Sequence, residues 1–146
     1  MENGLTDRRE EYARVFNDSY ERVMKSPETS RNFYSEFYRS LMETSPEAAR
    51  KFEHTDMKLQ IRSLRASVGV LMAYSQNGIY SDYLYRLAER HGPKGVDIQP
   101  ELYAVWLNCL IETVRAFDSR FNERVETAWR FVFSKGIEFM IAHANG

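Results

Sequence analysis

Apolar positions recur at helical spacing along nearly the whole chain, and no stretch alternates with period two long enough to predict a strand. Tyr12, Val15, Phe16, Ser19 and Val23 form a first stripe behind Thr6 as N-cap, with Arg and Glu on the opposite face. Ser26-Pro27 breaks it and opens a second helix whose inward side is Phe33, Phe37, Tyr38, Leu41 and Met42. Ser45-Pro46 repeats that start for a short helical turn ending near Phe52. Thr55 or Asp56 caps the next helix. There Met57, Ile61, Leu64, Val68, Leu71 and Met72 share a face, Gln60 sits at its edge, and Lys58, Arg62 and Arg65 point away. Ser75-Gln76-Asn77-Gly78 ends it, and Ser81 caps a short helix striped by Leu84, Leu87, Ala88 and His91. Gly92-Pro93 stops that helix, and an irregular connection follows. Pro100 opens a long helix with Tyr103, Trp106, Leu107, Leu110, Val114 and Phe117 inward. The chain turns at Asp118-Ser119, and Val125, Ala128, Trp129, Val132, Phe133, Gly136 and Met140 stripe the last helix. The pattern predicts an all-α protein of about seven helices. Without repeat or linker, residues 1–146 read as a single domain.

Composition narrows the function classes. Lys+Arg 20 against Asp+Glu 21 leaves a net charge of -1, which provides no electrostatic footprint for nucleic acid or an anionic membrane. The lone Cys109 excludes an intramolecular disulfide and a thiolate zinc site, and reads as a small buried hydrophobe. No apolar run approaches the ~20 residues needed to span a bilayer, so a soluble, cytoplasmic protein is expected. Nine Phe, nine Tyr and two Trp supply material for a core or for the walls of a pocket for a flat ligand.

One residue breaks the apolar pattern. His91 falls on the inward stripe of its short helix, where a polar, titratable ring needs a partner. It is either a core histidine hydrogen-bonded to a neighbour or a ligand to a buried metal centre.

Several linked spacings decide which family the order resembles. Pro46 opens the short third helix and Phe52 follows six residues later; Tyr38 precedes Phe52 by fourteen. With FYRSLMETSPEAARKF, LAERH followed by Ile98 and PELY, and the Ala128-Trp129 pair, the chain resembles a globin over almost its whole length. It is most similar to flavohaemoglobin globin domains and their single-domain bacterial relatives. Its end after the last helix implies that no flavin and nicotinamide reductase domain is attached.

The resemblance implies a three-on-three helical sandwich around haem b (iron protoporphyrin IX). His91 would be the proximal ligand, its second ring nitrogen donating to a backbone carbonyl such as that of Leu87. Phe52 would lie against the haem face, with Leu87 and Ile98 as apolar walls. Tyr38 and Gln60 would donate hydrogen bonds to a bound diatomic gas (O2, NO or CO) and slow its release. A register shifted by one turn would instead turn Leu64 toward the ligand; Gln60 is preferred because it keeps Met57, Ile61, Leu64 and Val68 inward. Tyr103 matches the tyrosine that, in flavohaemoglobins, approaches the proximal histidine and pairs with a glutamate. The matching position here is Ala144, so the carboxylate is missing, which argues against strongly activated oxidative chemistry. Arg90 offers a haem propionate contact, His54 a surface residue, propionate contact or swung-in ligand, and His143 a solvated last-turn residue.

The expected function is therefore reversible binding of dioxygen and related gases, with nitric oxide dioxygenation given an external reductase. A haem-based gas or redox sensor working through a partner or a change between monomer and homodimer is the alternative. A helical interaction protein without haem is the third class.

Overall fold

The computed structural model describes residues 2–78 and 81–144. Within them lie seven helices and no strand: α1 (Glu2–Val23), α2 (Pro27–Thr44), α3 (Pro46–Phe52), α4 (Met57–Asn77), α5 (Asp82–His91), α6 (Pro100–Phe117) and α7 (Glu123–Ala142). Each inner boundary has a local cause. Ser26 and Ser45 accept the N–H groups of Thr29 and Ala48, and Pro27 and Pro46 occupy the first helical position, where a missing N–H costs nothing. Asp56, rather than Thr55, caps α4 by accepting from Lys58 and Leu59. Asp56→Ala is expected to lower stability by about 1 kcal/mol, read from chemical denaturation of the ligand-free protein. Gly78, at φ 67°, ends α4 in the left-handed conformation that glycine adopts without strain.

Two expected caps differ. The first helix begins at Glu2, so Thr6 lies inside α1 instead of capping it, and its side chain lies outside the described residues. Ser81 holds the N-cap position of α5 but makes no capping hydrogen bond, and Asp82 supplies the negative charge of that first turn.

The helices pack as the expected three-on-three sandwich. α1, α4 and α5 make one layer, and α7 crosses all three from the other layer, where α2 runs along α6. α2 also carries α3 at its end. The centre is aromatic: Trp129 stacks on Phe133 at 5.8 Å and 12°, and Phe16 lies 4.7 Å from Trp129. Each such pair adds about 0.5–1.5 kcal/mol beyond the area it buries. None of the described helices is long and apolar enough to cross a membrane.

α4 and α5 are not among the closely packed pairs. Their meeting is confined to a narrow zone, where Ser67 Oγ and Tyr83 OH lie 3.2 Å apart. Ser67 donates to Ser63 O at 2.9 Å, so Tyr83 is the donor in that bond. Elsewhere the two helices stand apart, and the space between them is the site described next.

Candidate functional site

A cavity of about 260 Å³ occupies the gap between α4 and α5 and reaches α2, α3, α6 and α7. One water needs only about 10–15 Å³, so this is a pocket and not a packing defect. Tyr38, Phe52, Gln60 and Leu64, from α2 to α4, and Leu87, His91, Ile98 and Tyr103, from α5 to α6, all line it. Every residue the sequence singled out as a pocket residue therefore meets at one place.

His91 is set by the last turn of α5. Its Nδ1 lies 2.7 Å from Leu87 O, the carbonyl one turn earlier, so Nδ1 carries the proton and donates. Burial pushes the imidazole pKa below its ordinary value; the Leu87 bond opposes this, and the neighbouring Arg90 charge adds to it. The ring is thus neutral at pH 7, and its lone pair sits on Nε2. That nitrogen has no hydrogen-bond partner among the described residues, although the ring lines the cavity.

Tyr38 is almost wholly buried, at 3% exposure, and its ring meets Phe52 edge-on with centroids 5.4 Å apart. Gln60 Nε2 donates to Tyr38 OH at 3.1 Å. The phenol oxygen accepts that bond, so its own proton remains free to be donated. Burial drives the Tyr38 pKa up to about 12, with the Gln60 bond pulling weakly the other way. Tyr38 is therefore a protonated donor at any physiological pH. Both Gln60 and Leu64 line the cavity, and Gln60 is the one bonded to Tyr38.

The Tyr103 ring lies 6.4 Å from that of His91, and burial raises its pKa to about 12. No hydrogen bond to its hydroxyl is found among the described residues. Ala144 packs against the turn after His91: a Cβ placed on Gly92 would come within 2.1 Å of Ala144 O, so only a glycine allows that approach. Gly95 has the same role toward Arg90 O, also at 2.1 Å, and folds the connection back onto α5.

His54 lies outside the pocket lining. Its side chain is 91% exposed, with Nε2 3.1 Å from Glu53. His143 departs from the solvated residue expected: it is half-buried, with its ring 4.4 Å from that of Phe139 and 5.0 Å from that of Tyr85. The sequence reading also passed over Lys51, Ser63 and Ser67, which line the cavity. Ser63 and Ser67 flank Leu64 and lie one turn apart, a spacing that could have placed them on the pocket side.

A crystal structure of a Pseudomonas aeruginosa protein, described as structurally highly homologous to a human hemoglobin, superposes on this chain with a TM-score of 0.84 and 31% identity, covering 92% of this chain and 99% of that one. No family model matches the chain, and no curated protein matches it in sequence. An all-helical sandwich with a histidine-lined pocket between α4 and α5 is a globin-type architecture. With that relative matched over its whole length, the chain belongs to the globin family.

Proposed function

We propose that the protein binds haem b in the α4–α5 cavity and uses it to hold dioxygen and related diatomic gases reversibly. The observation that carries this reading is His91: one nitrogen is locked as a donor to Leu87, and the other is unprotonated, unpaired and left for a large apolar pocket. A metal-binding imidazole needs that arrangement, with the outer nitrogen bonded to fix tautomer and orientation. An imidazole kept only for packing has no need of an unpaired nitrogen at the wall of a cavity. When bound, the haem iron supplies the coordination site for the gas.

The chain's own residues account for the rest. Phe52, Leu64, Leu87 and Ile98 provide apolar walls that exclude water. The Tyr38 hydroxyl and the Gln60 amide reach the same cavity from α2 and α4, while His91 reaches it from α5. There they supply hydrogen-bond donors to a ligand that draws negative charge, in a dry site where such bonds are electrostatically strong. Tyr103 serves as wall, and Ala144 leaves it without the carboxylate that would increase electron donation from His91. The pocket is therefore arranged for retention of a gas over oxidative turnover. With an external reductase it would also support nitric oxide dioxygenation, seen as steady nitric oxide consumption instead of one stoichiometric burst.

Purified protein titrated with haemin is expected to develop a sharp Soret band at one equivalent; a broad, non-saturating spectrum would reject the proposal. Tyr38→Phe is expected to speed oxygen release at least tenfold, in line with about 1.5–3 kcal/mol for a charge-assisted bond. Stopped-flow displacement by carbon monoxide measures this, and an unchanged rate would take the role from Tyr38.

A further inference from the structure

Resting on the haem reading above, we infer that Lys51 is a strap across the mouth of the cavity that sets how fast haem enters and leaves. Lys51 is the penultimate residue of α3, and Lys51, Thr55, Arg90 and Val96 all border the cavity. Its Nζ donates to two successive carbonyls of the loop after α5, Val96 O at 2.7 Å and Asp97 O at 3.2 Å. Asp97 has φ 52°, the left-handed turn that aspartate tolerates better than most residues. In extended backbone, successive carbonyls point apart; here they converge on a single ammonium.

The loop otherwise bonds to the end of its own helix. Val96 N donates to Arg90 O at 2.8 Å, Asp97 N to Gly92 O at 2.9 Å and Ile98 N to His91 O at 2.8 Å. The loop is thus an extension of α5 that moves with His91 and carries Ile98 as pocket wall. Among the described residues, Lys51 makes the hydrogen bonds that join it to the opposite lip, on α3. No carboxylate pairs with Lys51 among the described residues, so its charge is committed to the two carbonyls. A flat ligand passing between α3 and the loop must break both bonds, on the way in and on the way out. A wall residue stabilises only the bound state; a strap slows exchange in both directions.

The test compares Lys51→Met and Lys51→Arg with wild type. Haem loss is followed by transfer to excess apomyoglobin, and uptake by stopped-flow mixing with haemin. Lys51→Met is expected to speed both processes at least tenfold, corresponding to about 1.4 kcal/mol in each barrier, with the Soret spectrum unchanged; Lys51→Arg is expected to stay close to wild type. The same acceleration is expected with haemin dimethyl ester, which lacks propionate carboxylates. Unchanged rates, faster loss with unaltered or slower uptake, or an effect abolished by the ester would each overturn the strap. The ester result would show instead a direct ion pair with the propionates. Amide hydrogen exchange of residues 96–98 in the haem-free protein provides a haem-independent arm. It is expected to accelerate at least tenfold in Lys51→Met, and unchanged exchange would overturn the strap even if no haem bound. Absence of a Soret band in wild type, by contrast, would reject the haem reading itself.

Discussion

Replacing His91 with alanine is expected to lower haem affinity about 100-fold or more, since losing only a residue that supports a metal ligand costs 10–100-fold. His91→Gly with added imidazole makes the test specific. The walls formed by Phe52, Leu87, Ile98 and Tyr103 remain in place, and the deleted side chain leaves a space the size of the imidazole that refills it. The Soret band of His91→Gly is expected to return toward wild type as imidazole saturates. If His91 were only a core residue, the substitution would change denaturation midpoints and leave the haem spectrum untouched. Removing the Leu87 hydrogen bond is not separable by mutation, because its acceptor is a backbone carbonyl. Its contribution is instead visible in the neutral ring: burial has already moved the His91 pKa down, so the apoprotein need shed little or no proton at pH 7 to present Nε2.

Helical periodicity made the inward faces legible, and the resemblance to globins joined them into a pocket. Leu64 and Leu87 lie on stripes that a period-3.6 reading turns inward, as does Tyr38 on α2, whereas the place of Phe52 came from its spacing to Pro46 and Tyr38 and the resemblance that spacing carries. Helix starts were legible wherever a side-chain cap or proline marks them, as at Ser26-Pro27, Ser45-Pro46 and Pro100. The start of α1 lacks such a mark, and Thr6, a good cap in isolation, lies within a helix that runs on past it. What periodicity could not convey is contact between distant elements. Lys51 sits on a seven-residue helix with no stripe to mark it, and only the folded path of residues 92–98 brings carbonyls to it. His143 reads as a final-turn solvent residue until α5 and α7 are placed side by side, which puts Tyr85 against it. Ser19 did leave a trace: a hydroxyl on the apolar stripe of α1 requires a partner, but nothing local identifies it.

That partner is Asp118, and its removal is expected to lower stability strongly. Its side chain is fully buried where α6 ends. Ser19 Oγ donates to Oδ2 at 2.6 Å, Arg22 Nε to Oδ1 at 2.6 Å, Arg22 Nη2 to Oδ2 at 2.8 Å, and the Arg120 N–H to Oδ1 at 2.9 Å. Trp129 Nε1 donates to Ser19 Oγ at 2.9 Å, so one carboxylate ties α1, the α6–α7 turn and the central tryptophan together. Asp118→Ala removes at once the acceptor of Arg22, of the Ser19 hydroxyl and of the Arg120 amide, while Trp129 keeps Ser19 Oγ as its own. Breaking a buried ion pair from one side costs about 3–5 kcal/mol; Arg22 retains some access to water, which places the loss near the lower end, about 3 kcal/mol. The pH dependence identifies the carboxylate as the cause. Burial alone would raise the Asp118 pKa, but the hydrogen bonds from Arg22, Ser19 and the Arg120 amide, with the Arg22 charge, outweigh it and hold the pKa below the ordinary value. A group whose folded pKa is depressed contributes stability that is complete above the unfolded pKa, near 3.8, and is lost as pH falls through the folded value. The gap between wild type and Asp118→Ala, measured by urea denaturation of the haem-free protein, is therefore expected to be full at pH 7 and to narrow below about pH 4. An equal gap at pH 7 and pH 3 would assign the loss to packing. A gap below about 1 kcal/mol at pH 7 would mean that the network contributes no more than an exposed pair.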